Sequence, residues 1–90
     1  MKNNNDIDYW ITVKTSKGMF SNEYAVELKL ANGYLVSFFA DKTLFKQEKD
    51  DFKLKVTLIK KDIKQRIANV LLPIETFETQ NRWVEVPLEM

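Results

Sequence analysis

LKLANGYLVSFFADK, residues 28–42, carries the clearest fold signal in the chain. Asn32 and Gly33 sit between two apolar runs, and Asn-Gly is the dipeptide best suited to the positive φ angles of a type I′ hairpin turn. A two-residue turn places Ala31 opposite Tyr34, Leu30 opposite Leu35, Leu28 opposite Ser37, Val26 opposite Phe39 and Tyr24 opposite Asp41. That side reads as the core face. The other side then holds Lys29 opposite Val36, Glu27 opposite Phe38 and Ala25 opposite Ala40. Phe38 and Phe39 are neighbours, and neighbours in a strand face opposite sides of a sheet. This register gives Phe39 a core and leaves Phe38 without one.

Strand patterns flank the hairpin. In "YWITVKT", 9–15, Tyr9, Ile11, Val13 and Thr15 alternate with Trp10, Thr12 and Lys14. "KTLFK", 42–46, continues the hairpin past a bend or starts another strand, and "QEKDD", 47–51, reads as a solvated loop. "FKLKVTLIK", 52–60, puts Phe52, Leu54, Val56 and Leu58 inward and Lys53, Lys55 and Thr57 outward. "KKDIKQRIANVLLP", 60–73, supports two readings. As a strand, 66–73 returns beside 52–60 after a turn near Asp62. As a helix over about 62–72, Asp62 is the N-cap, and Ile63, Ile67, Val70 and Leu71 share a stripe. Strands on both sides favour the strand. The last segment reads as a hairpin with arms 74–78 and 82–86, or with one helical turn after Pro73. The fold class expected is all-β, a small antiparallel β-barrel or sandwich of six or seven strands. The alternative is α+β with one helix at 62–72. Residues 1–8 are expected to be a flexible lead-in and 9–90 a single β domain.

The 90 residues are 44% hydrophobic, with 6 Phe, 3 Tyr and 2 Trp, enough for one core without staples. Cysteine and histidine are absent, so disulfides, thiol chemistry and histidine-dependent triads are excluded. The only glycines, Gly18 and Gly33, form no phosphate-binding loop. Glu48, Asp50 and Asp51 lack the glycine and distal glutamate of a calcium loop. No catalytic site, metal site or cofactor is expected. The net charge of +1 supplies no global pull toward nucleic acid or an anionic membrane. No apolar stretch is long enough to span a bilayer. "MKNNNDID" lacks the apolar centre of a secretory signal, so a cytoplasmic protein is expected.

Two surface features remain. Trp10, Phe38 and Trp83 face away from the expected core. With Val36 and Arg82 they are the candidates for a protein interface, where buried Trp and Arg anchors are common. Lys53, Lys55, Lys60, Lys61, Lys64 and Arg66 form a basic stretch, the candidate for anions or nucleic acid. The reading is a non-catalytic, small bacterial-type binding or assembly module acting through protein–protein contacts, with a homodimer through the Phe38 face as its self-associating form. The alternative is a single-stranded nucleic-acid-binding barrel using residues 53–66.

Overall fold

The turn that sets the register holds three residues, not two. In the computed structural model, which describes residues 7–89, Gly33 N–H donates to the Leu30 carbonyl at 2.9 Å and Leu30 N–H to the Tyr34 carbonyl at 2.8 Å. Gly33 takes φ 91°, the left-handed position that closes a three-residue hairpin. Asn32 contributes as an acceptor, its Oδ1 receiving Tyr34 N–H at 3.0 Å. The strands on either side are β2 (Glu23–Lys29) and β3 (Leu35–Asp41). Leu28 pairs with Val36, Val26 with Phe38 and Ala25 with Phe39.

The expected register is therefore corrected by one residue, and such a slip exchanges the two faces of a strand. Val36 and Phe38 are buried, Phe38 at 1% exposure, while Phe39 is half-buried on the outer face. Matched alternation is the reason. Val26, Leu28, Val36, Phe38 and Ala40 are apolar and all are buried. The opposite set contains Glu27, Ser37 and Asp41. An even-length loop pairs the apolar set of one strand with the mixed set of the other, and only an odd loop buries both apolar sets together.

Strand β1 (Ile7–Lys17) serves two neighbours. Its first part, Ile7 to Val13, pairs antiparallel with β5 (Asp51–Asp62), and Lys14 to Lys17 pair with β2. Gly18 ends it where a Cβ would lie 2.7 Å from the Glu23 carbonyl oxygen. A single 3-10 turn, Lys42–Leu44, leads into β4 (Phe45–Glu48), which pairs with the start of β5. The later part of β5 pairs with β6 (Ile67–Leu71), and β6 with β7 (Trp83–Pro87). The order is β3-β2-β1-β5-β6-β7, with β4 beside β5, in one antiparallel sheet curled into a half-barrel.

The inward and outward sets of β1 and β5 follow the sequence pattern. Ile11, Val13, Leu54 and Val56 are buried, together with Ala68, Val70, Leu72, Val84 and Val86. A bulge at Ile59 shifts the register and turns Lys60 and Lys61 to faces a regular strand would not give them. Residues 62–72 hold the end of β5, a turn at 63–66 and strand β6, not a helix. Their glycine-free turn closes because Arg66 adopts φ 60° and Asp62 Oδ1 accepts Gln65 N–H at 3.0 Å.

Three further expectations change. The solvated loop at 47–51 is largely hairpin, since β4 turns into β5 through Lys49 at φ 56°. The arm at 74–78 is not a strand: β7 pairs with β6, and 72–82 is an ordered loop. Buried Thr76 organises that loop, its Oγ1 accepting Thr79 N–H at 3.0 Å and its carbonyl accepting Gln80 N–H at 2.9 Å. Strand β1 begins at Ile7, inside the expected lead-in. The remainder of that lead-in, residues 1–6, lies outside the described residues.

This register makes an ordered prediction. Phe38→Ala should cost about 3–5 kcal/mol in urea unfolding, and Phe39→Ala clearly less. The reverse order would restore the two-residue turn. Gly33→Ala should cost about 1–2 kcal/mol, through backbone conformation alone, because no atom lies within 4 Å of the added Cβ.

Candidate protein-binding surface

The half-barrel closes by stitches, not by a ladder. The strands at the two ends of its main order are β3 and β7. Ala31 N–H, in the β2–β3 loop, donates to the Glu85 carbonyl of β7 at 2.8 Å. Phe77 N–H, in the β6–β7 loop, donates to the Ser37 carbonyl of β3 at 2.9 Å. The Glu78 carboxylate accepts both the Ser37 N–H, at 2.7 Å, and the Ser37 hydroxyl, at 2.6 Å. The Ser37 hydroxyl, then its N–H, hold the Glu78 carboxyl below its ordinary pKa. The β7 edge is blunted as well. Pro87 has no N–H, and Trp83 N–H is taken by Asn81 Oδ1 at 3.1 Å.

The outer face of β1, β2 and β3 is cut by surface clefts. Two adjoining clefts, of about 460 and 360 Å³, share Lys14 and Glu27. The first opens beyond Lys14↔Glu27, the last β1–β2 pair at that end. Thr12, Val13, Lys29, Gly33 and Leu35 complete its walls. The second is floored by small residues, Ser16, Ala25 and Ser37. Its neighbourhood is apolar. Phe39 meets Phe77 edge-on at 5.5 Å, and Phe77 and Leu35 are 61% and 54% exposed. Lys14, Glu27 and Lys29 take part in no ion pair among the described residues.

Thr12, one of the residues lining the first cleft, already binds a carboxylate. Thr12 lies past the point where β2 leaves β1, and its N–H donates to Glu89 Oε2 at 2.8 Å. The Thr12 hydroxyl donates to Glu89 Oε1 at 2.9 Å, and Lys53 Nζ pairs with the same oxygen at 3.0 Å. Lys53 Nζ also donates to Thr12 Oγ1 at 2.6 Å. Partial burial pushes the Glu89 carboxyl up. The Thr12 N–H, the Lys53 ammonium and the Thr12 hydroxyl together outweigh it, and the net pKa is lowered. The Glu89 hydrogen bond raises Lys53 against a smaller desolvation effect.

The residues expected to act together are separated. Val36 and Phe38 are in the core and offer a partner nothing, because the three-residue turn faces them inward. Trp10 is half-buried on the outer face of β1, with Lys46 Nζ 4.5 Å above its ring. Trp83, 58% exposed, stands on the outer face of β7 across from Leu71. Beside it, Arg82 donates through Nε to the Leu72 carbonyl at 2.8 Å. The register places β5 and β6 between Trp10 and Trp83. The basic stretch is also dispersed. Lys53 is paired with Glu89 and Lys55 with Asp8 at 3.4 Å. Lys60 lies opposite Asn69, and Lys61 opposite buried Ala68 with its Nζ 5.7 Å from the Tyr9 ring. Lys64 and Arg66 occupy the β5–β6 turn.

Sequence reading missed Leu35, Phe39 and Phe77 as surface groups, placing Leu35 and Phe39 on the core face. The first two were recoverable from the alternation of β2 against β3. Phe77 was not, since an irregular loop has no period. Among the described residues, no group of three or more carboxylates is placed to hold a metal, and no helix is long and apolar enough to cross a membrane. Compared with known protein families, curated proteins and solved structures, the chain matches none.

Acid should loosen the seam. Glu78 and Glu89 both have lowered pKa values in the folded state. Their contribution is full above the ordinary glutamate value of 4.5 and is lost as pH falls through the lowered values. Urea midpoints measured downward from pH 5 should fall more steeply for the wild type than for Glu78→Gln. Parallel curves would show that the Ser37 contact contributes nothing.

Proposed function

We propose that the chain is a non-catalytic, cytoplasmic module that binds a protein partner on the outer face of β1, β2 and β3. The supporting observation is the Leu35, Phe39 and Phe77 rim bordering two clefts whose Lys14, Glu27 and Lys29 form no ion pair among the described residues. Aromatic anchors beside polar recesses are the usual anatomy of an interface, and a clustered exposed apolar patch in a small domain marks an interaction site. The lack of histidine, cysteine and glycine-rich loops supports a binding role over catalysis. Self-association through the same face is the second form of this reading.

Nucleic acid is the weaker alternative. A single-strand groove needs free cations along one track with stacking aromatics. Here Lys53 and Lys55 are ion-paired, and Lys60 and Lys61, consecutive in β5 after the Ile59 bulge, face opposite sides of the sheet.

The test compares wild type, Leu35→Asp/Phe77→Asp and a Lys60→Glu control in affinity capture and sedimentation. Proteins or self-association seen with wild type and the control should be lost in the double variant, while its circular dichroism stays unchanged. Retention by the folded double variant would overturn the assignment of this face.

A further inference from the structure

Resting on that reading, we propose that the partner enters the larger cleft as an extended acidic segment, one of whose carboxylates takes the place Glu89 holds on Thr12 and Lys53. The constellation is a built carboxylate receptor with its occupant in view. A backbone N–H, a hydroxyl and an ammonium converge on one carboxylate at 2.8 to 3.0 Å. Charge-assisted bonds of this kind are among the strongest polar contacts available to a protein.

The occupant comes from the segment after β7, not from the β1–β2–β3 sheet that forms the cleft wall. Glu89 reaches the receptor through its side chain, so an acidic side chain from another chain can make the same contacts.

The rest of the cleft suits the same ligand. Lys14 and Lys29 line it without an ion pair among the described residues, and Glu27 is the one acid among its lining residues. Lys14 is two residues from Thr12 on β1, about 7 Å along a strand. That spacing matches acidic residues at alternate positions of an extended peptide. Val13 and Leu35 offer apolar contact to a neighbouring residue. The loss of β2 pairing beyond Lys14 leaves room for an extended backbone to lie along β1. Glu89 competes in this scheme: it attenuates binding without abolishing it, as any cis occupant does.

The experiment uses the full chain and a short fluorescein-labelled peptide alternating glutamate with valine, followed by anisotropy at low salt. Its glutamine-for-glutamate counterpart is the control probe. Glu89→Ala should bind the acidic peptide roughly tenfold more tightly than wild type and should leave the control peptide unaffected. Adding Lys53→Met should reverse the gain. Lys14→Glu in the Glu89→Ala background should weaken binding while leaving circular dichroism unchanged. Equal affinity of wild type and Glu89→Ala would overturn the proposal, as would a gain that survives Lys53→Met. The binding-face assignment fails separately: if Leu35→Asp/Phe77→Asp abolishes partner capture while no acidic preference appears, the face stands and the carboxylate receptor falls. A rise in solution mass for Glu89→Ala, in place of peptide binding, would make a second copy the occupant and also overturn the proposal.

Discussion

Burial of Phe38 beside Val26 and Leu28 is the constraint on which the rest of the molecule turns. Once that ring is inside, the parity of the β2–β3 register is set, and the loop must hold an odd number of residues. Gly33 supplies the backbone conformation such a loop needs. The same register places Ser37 at the open edge of β3, where its N–H and carbonyl face the β6–β7 loop and not β2. It also sends Leu35 and Phe39 outward. The core, the closure and the surface relief all descend from one pairing offset.

Closure follows an economical scheme. A complete barrel needs a ladder between its first and last strands, with strand tilt and stagger matched to it. Here β3 and β7 meet through Ala31–Glu85, Phe77–Ser37 and the Glu78 carboxylate on Ser37. The stitches pair backbone groups of Ala31, Ser37, Phe77 and Glu85 without the geometry of a continuous seam. The cost is dependence on a loop and on an ionised side chain. Glu78 gains little from burial, so its hold is electrostatic and hydrogen-bonded, and it is tied to pH.

Charge is handled pair by pair on β5 and left open on β1 and β2. Lys53 and Lys55 on β5 have acidic partners. The exposed Lys55–Asp8 pair adds little stability, but both pairs remove free cations from that strand. On β1 and β2, Lys14, Glu27 and Lys29 are unpaired among the described residues, next to the exposed Leu35. Cations without partners beside apolar groups are costly to cover with an uncharged surface and favourable to cover with an acidic one. Glu89 illustrates this, since the chain brings its own carboxylate to Thr12, one of the residues lining that cleft.

The sequence by itself determined much of the fold. Period-two alternation identified β1, β2, β3 and β5, and placed Ile11, Val13, Leu54 and Val56 inside. It placed Trp83 outside opposite a buried Val84 and Val86 pattern, because a strand's faces are local properties of spacing. Matched alternation of β2 and β3 even contained the odd loop length, though the Asn-Gly pair pointed to a shorter turn. Tertiary structure alone decided the rest. The β6–β7 loop has no period, so nothing local sets Thr76 inside and Phe77 outside. Ser37 meets Glu78, and Thr12 meets Glu89, across 41 and 77 residues of chain. Contacts of that range depend on where strands curl and diverge, and a single strand's alternation carries no information about either.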